Sequence, residues 1–170
     1  MALLLQDFNF SLIVEDNGEL SLWGVKQATG DIILPEGINK LLYCAFSPTE
    51  IKSIVLPNSL NTIDDGVFSN CYKLTSITIP NSVTNIGHDI FSFCENLTEV
   101  NWESPINLTK EMIKDIFRGC ENLRIINYRG KKINLYDSNL DDLINKKTEF
   151  SSDKQDLNLE QIIKDVGEER

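Results

Sequence analysis

Four cysteines, one histidine and a few carboxylate pairs are the residues through which this chain could do chemistry. Cys71, Cys94 and Cys120 recur at similar intervals, with Cys44 upstream of them. None has CxxC spacing, so a zinc cage is not expected. His88 is the single histidine, which leaves a metal without a second imidazole. No G-x-S-x-G context accompanies it, and it is expected on a solvent-facing turn. The adjacent acids Asp64–Asp65 and Asp141–Asp142 read as solvated loop residues. The glycines are scattered at turns and build no phosphate-cradling loop. No acid, base and nucleophile converge, so the sequence predicts no catalytic, cofactor-binding or metal-binding residues. The cysteine column raises one more possibility. Neighbouring parallel strands lie about 4.8 Å apart, so cysteines stacked on them would satisfy a disulfide on Cα distance alone. Their side chains should point the same way, however, and the compartment reads as reducing. They are expected to be small buried hydrophobes packing under a column of phenylalanines.

What spaces these cysteines is a repeat. "LTSITIPNSVTNIGHDIFSFCEN" (74–96) restates "IKSIVLPNSLNTIDDGVFSNCYK" (51–73) almost residue for residue. With Pro35, Pro57 and Pro80 in one column, Leu34, Leu56, Ile79, Trp102 and Tyr128 precede them, and Ile32, Ile54, Ile77, Val100 and Ile126 lie two residues earlier. The copies open with Ile51, Leu74, Leu97 and Leu123. Further on, Ile38, Leu60, Val83 and Ile106 align, then Leu41, Ile63, Ile86 and Met112, then Ala45, Val67, Ile90 and Ile116. Phe46, Phe68, Phe91 and Phe117 form a column with no exception. The copies run 29–50, 51–73, 74–96 and 97–122, giving repeats of 22, 23, 23 and 26 residues with a partial fifth from 123. A unit this short cannot bury its own apolar face. Stacked on its neighbours it builds one continuous core, so the array is a solenoid.

Each copy begins with a strand such as "LTSITIP", whose alternating Ile77 and Ile79 point inward. Proline ends the strand, because its nitrogen cannot feed a sheet ladder. "IGHDIFSFC", with apolar Ile86, Ile90 and Phe91, predicts a short helical turn on the convex side. The fourth copy gains three residues within "NLTKE", which makes Thr109 an N-cap and "KEMIKDIF" a helix of about two turns. Trp102 and Tyr128 replace Ile79 at an inward position and are expected in the core. Trp23 is expected half exposed on an N-terminal hairpin.

The strand, Ile-Pro, Val, Ile-Gly, Phe, Cys cadence of these two phrases resembles the BspA-like leucine-rich repeat. "FSLIVEDNGELSLWGV" looks like that family's N-terminal hairpin cap, with its turn at Asp16-Asn17-Gly18. "INYRGKKI" looks like its closing strand. The resemblance covers roughly residues 8–136. It implies an α/β repeat solenoid of parallel strands that binds other macromolecules, and it implies no catalytic activity. The organisation expected is therefore a hairpin cap over 1–28, the solenoid over 29–136 and a helical C-terminal cap or docking tail over 137–170. The tail has its own signals. Ser152 and Gln155 make a capping box, and Leu159, Ile162, Ile163 and Val166 form a helical stripe. That helix either covers the solenoid end or docks on a partner or a second copy.

Length and charge narrow the partners. A chain of 170 residues buries roughly 70% of its unfolded surface and needs no staple to fold. Its net charge of −10 disfavours nucleic acid, whose phosphates need Lys and Arg, and anionic membranes. No stretch reaches the ~20 apolar residues of a membrane span. "MALLLQDFNF" lacks the basic and cleavage regions of a signal peptide. A cytoplasmic location is expected as written, or the extracellular surface if a leader was trimmed. The Asn-Leu-Thr triplets at Asn96 and Asn107 are then chance products of the repeat.

With chemistry excluded, the open face of the strands is the candidate site. Side chains between the inward columns point outward. One outward column is Asp31, Ser53, Ser76, Glu99 and Ile125, and the next is Ile33, Val55, Thr78, Asn101 and Asn127. The strand exits add Glu103 and Arg129. These positions vary while the inward ones do not, as a graded binding surface would and as mere freedom from packing would. The face runs from acidic at Asp31 to basic near Arg124, Arg129, Lys131 and Lys132, a polarity that could orient a protein partner. Other readings are a small acidic inhibitor of a nucleic-acid enzyme and a surface adhesion module.

Overall fold

A computed structural model of the chain describes residues 9–128 and 130–134. The chain enters as two antiparallel strands, β1 (Asn9–Val14) and β2 (Leu20–Lys26). Gly18 turns the chain at φ +83°, a conformation that favours a residue without Cβ. The loop is closed by Glu15 N–H donating to Glu19 O at 2.8 Å.

The coils follow. Their longer strands are β3 (Thr29–Ile33), β5 (Glu50–Val55), β7 (Ser76–Ile79), β9 (Glu99–Trp102) and β10 (Ile125–Tyr128). Between them lie three short strands, β4 (Ile38–Leu41), β6 (Thr62–Ile63) and β8 (Asn85–Ile86). One helix, α1 (Lys110–Ile116), replaces the short strand in the fourth copy. A final strand, β11 (Lys131–Asn134), pairs antiparallel with β10.

The first three coils thus have two strand-bearing sides. On one, β3 and β5 pair in parallel, and β7, β9 and β10 pair in parallel. On the other, β2, β4, β6 and β8 pair in parallel, with β1 at the edge. The second sheet is a correction. The "IGHDIFSFC" segment was expected as a helical turn, but it gives strand β8 and then a run of turns. The reason lies in where its backbone hydrogen bonds go. Gly66, Phe68 and Asn70 donate to His88, Ile90 and Ser92 of the next coil at 2.8–2.9 Å. Asp89 and Phe93 adopt positive φ. Backbone groups spent between coils cannot close an α-helical ladder. Where three residues are added, α1 forms as predicted, and the Thr109 side chain accepts from Met112 N–H at 3.2 Å.

The core lies between the two sheets and runs the length of the stack. Ile32, Ile54, Ile77, Val100 and Ile126 are buried on one side, and Leu41 and Ile63 on the other. The phenylalanines close the coil as a continuous stack, with centroids 5.4, 5.5 and 5.7 Å apart from Phe46 through Phe68 and Phe91 to Phe117. Burying each ring contributes roughly 1.5–3 kcal/mol. Trp102 is buried, its indole N–H donating to Ile106 O at 3.2 Å. Tyr128 is partly buried against the core. Two columns are corrected: Ile86 and Met112 are only partly buried where Leu41 and Ile63 are buried, and Ile106 is only partly buried, with Leu108 buried nearby. The bend that precedes α1 shifts the inward position, and Ser104 fixes that bend by donating to Val83 O at 2.7 Å.

Candidate interaction face

Strand register decides whether the outward residues form columns. In β3·β5, Asp31 lies opposite Ser53 and Ile33 opposite Val55. In β7·β9·β10, Ser76 lies beside Glu99 and Ile125, and Thr78 beside Asn101 and Asn127. Both predicted columns are therefore real within each sheet. Between β5 and β7 the ladder is interrupted, although Thr75 N–H still donates to Lys52 O at 3.3 Å. The face is two panels on one array. Arg129 lies outside the described residues, as do 137–170 with Asp141, Asp142 and the helix expected from Ser152.

The panels differ in chemistry. On the β3·β5 panel, Ile33 and Val55 stand 42% and 56% exposed, an apolar pair beside the Ser53 hydroxyl that donates to Asp31 Oδ1 at 2.7 Å. On the other panel the polar side chains bind one another. Asn101 Nδ2 donates to Thr78 Oγ1 at 3.1 Å, and Asn127 Nδ2 donates to Asn101 Oδ1 and, at 2.7 Å, to Glu99 Oε1. These residues are half-buried rather than free, because each covers its neighbour one coil on. Glu103 is exposed at the β9 exit. Lys132 lies opposite Asn127 in register and is exposed, so the basic end of the face is present beside the amide ladder.

Three of the four cysteines sit in the core. Cys71, Cys94 and Cys120 are buried free thiols. Each donates to the phenylalanine carbonyl one coil back: Phe46 at 3.3 Å, Phe68 at 3.1 Å and Phe91 at 3.0 Å. Its neighbour Cys71, together with burial, pushes the Cys94 thiol up, and burial pushes Cys120 up to about 12. Held protonated, the Cys94 and Cys120 thiols are poor nucleophiles and poor metal ligands, whereas the hydrogen bond with Cys94 draws the buried Cys71 thiol down.

Sequence reasoning missed a charged cluster on the turns that carry the phenylalanines. His88 is exposed as expected, but its ring meets Asp115 at 2.8 Å. Arg118 pairs with Asp89 and lies over the Phe93 ring at 5.7 Å. The repeat held the signal: Asp115 and Asp89 each precede the isoleucine of one column, Ile116 and Ile90, so adjacent coils bring the cluster together. Among the described residues no group of His, Cys, Asp or Glu is placed to hold a metal ion. No helix there is long and apolar enough to cross a membrane.

A stack of short coils, each a strand, a Pro-ended turn and a phenylalanine turn closed by a cysteine, is a leucine-rich repeat solenoid. Residues 26–152 match the BspA-type leucine-rich repeat region in six copies. The chain belongs to the BspA-type leucine-rich repeat family. Solved structures agree on the fold. A leucine-rich repeat protein of Eubacterium ventriosum is similar at a TM-score of 0.52 with 22% identity, over 68% of this chain and 32% of that one. The T. pallidum leucine-rich repeat protein is similar at a TM-score of 0.50 with 19% identity, over 72% of this chain and 69% of that one. The chain thus spans about a third of the length of the Eubacterium protein, 32%. No curated protein matches.

Proposed function

We propose that this BspA-type array is a non-enzymatic, intracellular module that holds a protein partner on the face formed by β3·β5 and β7·β9·β10. The observation that carries the reading is the contrast between the panels: exposed Ile33 and Val55 beside a ladder of side chains already fixed to one another. An apolar anchor supplies affinity, and polar groups that are pre-ordered lose little freedom on binding. The fold family, whose modules generally bind rather than catalyse, supports the same reading. The β1–β2 hairpin serves in it as the N-terminal cap, and residues 137–170 serve as the C-terminal cap or an additional docking segment.

The test is capture from the native host's lysate by the full chain and by the variant Thr78→Arg, Asn101→Arg. Both positions point outward but belong to the amide ladder, so the variant should fold with a modestly lower melting temperature yet lose the captured protein, and a second variant at the exposed pair, Ile33→Arg with Val55→Arg, should lose it as well. Unaltered capture sinks the sheet-face reading. Capture that persists in high salt excludes attraction by the −10 net charge alone, since that is screened.

A further inference from the structure

We infer that the step between the second and third coils is a hinge at which the open face widens and closes. At the three other steps the strands of that face pair in register: β3 with β5, β7 with β9 and β9 with β10. Between β5 and β7 no ladder forms, and one backbone bond remains, from Thr75 N–H to Lys52 O at 3.3 Å. The side chains break at the same step. Ser53 donates to Asp31, Asn101 to Thr78 and Asn127 to Asn101, so each paired step carries a side-chain tie. Among the described residues no hydrogen bond joins Ser53 or Val55 to Ser76 or Thr78. The core is also thinnest there. In the two inward columns from Ile32 and Leu34 to Val100 and Trp102, Leu56 at 9% and Ile54 at 5% are the least covered.

The same two coils are bound tightly on their other sides. Thr62 and Ile63 pair with Asn85 and Ile86. Gly66, Phe68 and Asn70 donate to His88, Ile90 and Ser92 at 2.8–2.9 Å, and the Phe68 and Phe91 rings stack 5.5 Å apart at an interplanar angle of 5°. A joint tied along two sides and loose on the third turns about the tied sides, as a hinge rather than a slide. The stack is held by bonds between neighbours, so its least-bonded side yields first. Rotation there changes the distance between the apolar pair, Ile33 and Val55, and the amide ladder that begins at Thr78. The hinge therefore sets the shape of the face, and a partner that touches both panels selects one setting. The joint itself is a property of the free chain and does not rest on the binding reading.

Native-state hydrogen exchange of the full chain, with no partner present, tests this. The β7 amides that face β5 should exchange about tenfold or more faster than those of β9, while the amides of Gly66, Phe68 and Asn70 stay protected like those of β9. The paired variant Val55→Thr, Thr78→Asn copies the tie between Thr78 and Asn101 onto the open step, one coil back. Asn101 then meets an amide oxygen, as Asn127 meets Asn101 in the parent. The variant should slow the fast β7 amides severalfold and leave those of β9 unaltered. Equal protection in β7 and β9 of the parent overturns the hinge. So does equally fast exchange at Gly66, Phe68 and Asn70, because the two coils then part as a whole. So does a β7 rate that the paired variant leaves unchanged, since a seam that no tie closes is not a joint with two positions.

Discussion

Residues in this solenoid act through their counterparts one coil away. Phe91 is buried between Phe68 and Phe117, so Phe91→Ala opens a cavity flanked by two rings and should cost about 3–5 kcal/mol, read by urea denaturation. His88 gives a sign test. Its pKa is raised by the hydrogen bond and charge of Asp115, then by the charges of Asp65 and Asp89. A group whose folded pKa is raised contributes stability that is fully present below its unfolded pKa of about 6.5 and lost as pH rises through the folded value. The melting temperature of the parent should therefore fall relative to His88→Gln as pH rises through that window. The difference should be small, since the ring is 81% exposed, and a difference that does not change with pH would refute the pairing. The exposure of His88 was legible from its turn position. Its partner was legible only through the repeat alignment, because Asp115 lies in the next coil and stacking brings the two together.

Elements show where local and lateral bonding compete. α1 depends on three added residues and on its cap. Thr109→Ala removes the acceptor for Met112 N–H and should cost about 1 kcal/mol by thermal unfolding, while Thr109→Ser should cost less. Neighbouring coils approach closely at Gly87, where an added Cβ would lie 2.6 Å from Asp65 N. Gly87→Ala should therefore cost about 1–3 kcal/mol, read by chemical denaturation, because backbone cannot yield as a side chain can. The long strands, the hairpin turn and α1 were all readable from alternation, from Asp-Asn-Gly and from an N-cap. The short strands β4, β6 and β8 were not. β6 and β8 span only two residues each, too few to show a period, and they exist because neighbouring coils offer them partners.

For the whole molecule, stability is a sum of coil-to-coil contacts, so it should grade along the stack. Amides of β9, paired on both sides to β7 and β10, should exchange most slowly. Those of β1 and β11, at the sheet edges, should exchange fastest, and a uniform hydrogen-exchange profile would contradict a solenoid of nearest-neighbour contacts. The sequence by itself determined the repeat length, the inward columns, the phenylalanine stack and the family, because a core built from identical coils must place identical residue types at a fixed period. It also picked out the outward columns, since alternation along a strand leaves no other direction for Thr78 or Asn101. Only the tertiary structure decided that those residues hydrogen-bond from coil to coil, that the face breaks into two panels between β5 and β7, and that the hairpin leaves Leu12 and Val14 at an open edge. Each of these depends on the offset between neighbouring coils, which arises from backbone pairing between segments distant in sequence and leaves no period in the residues themselves.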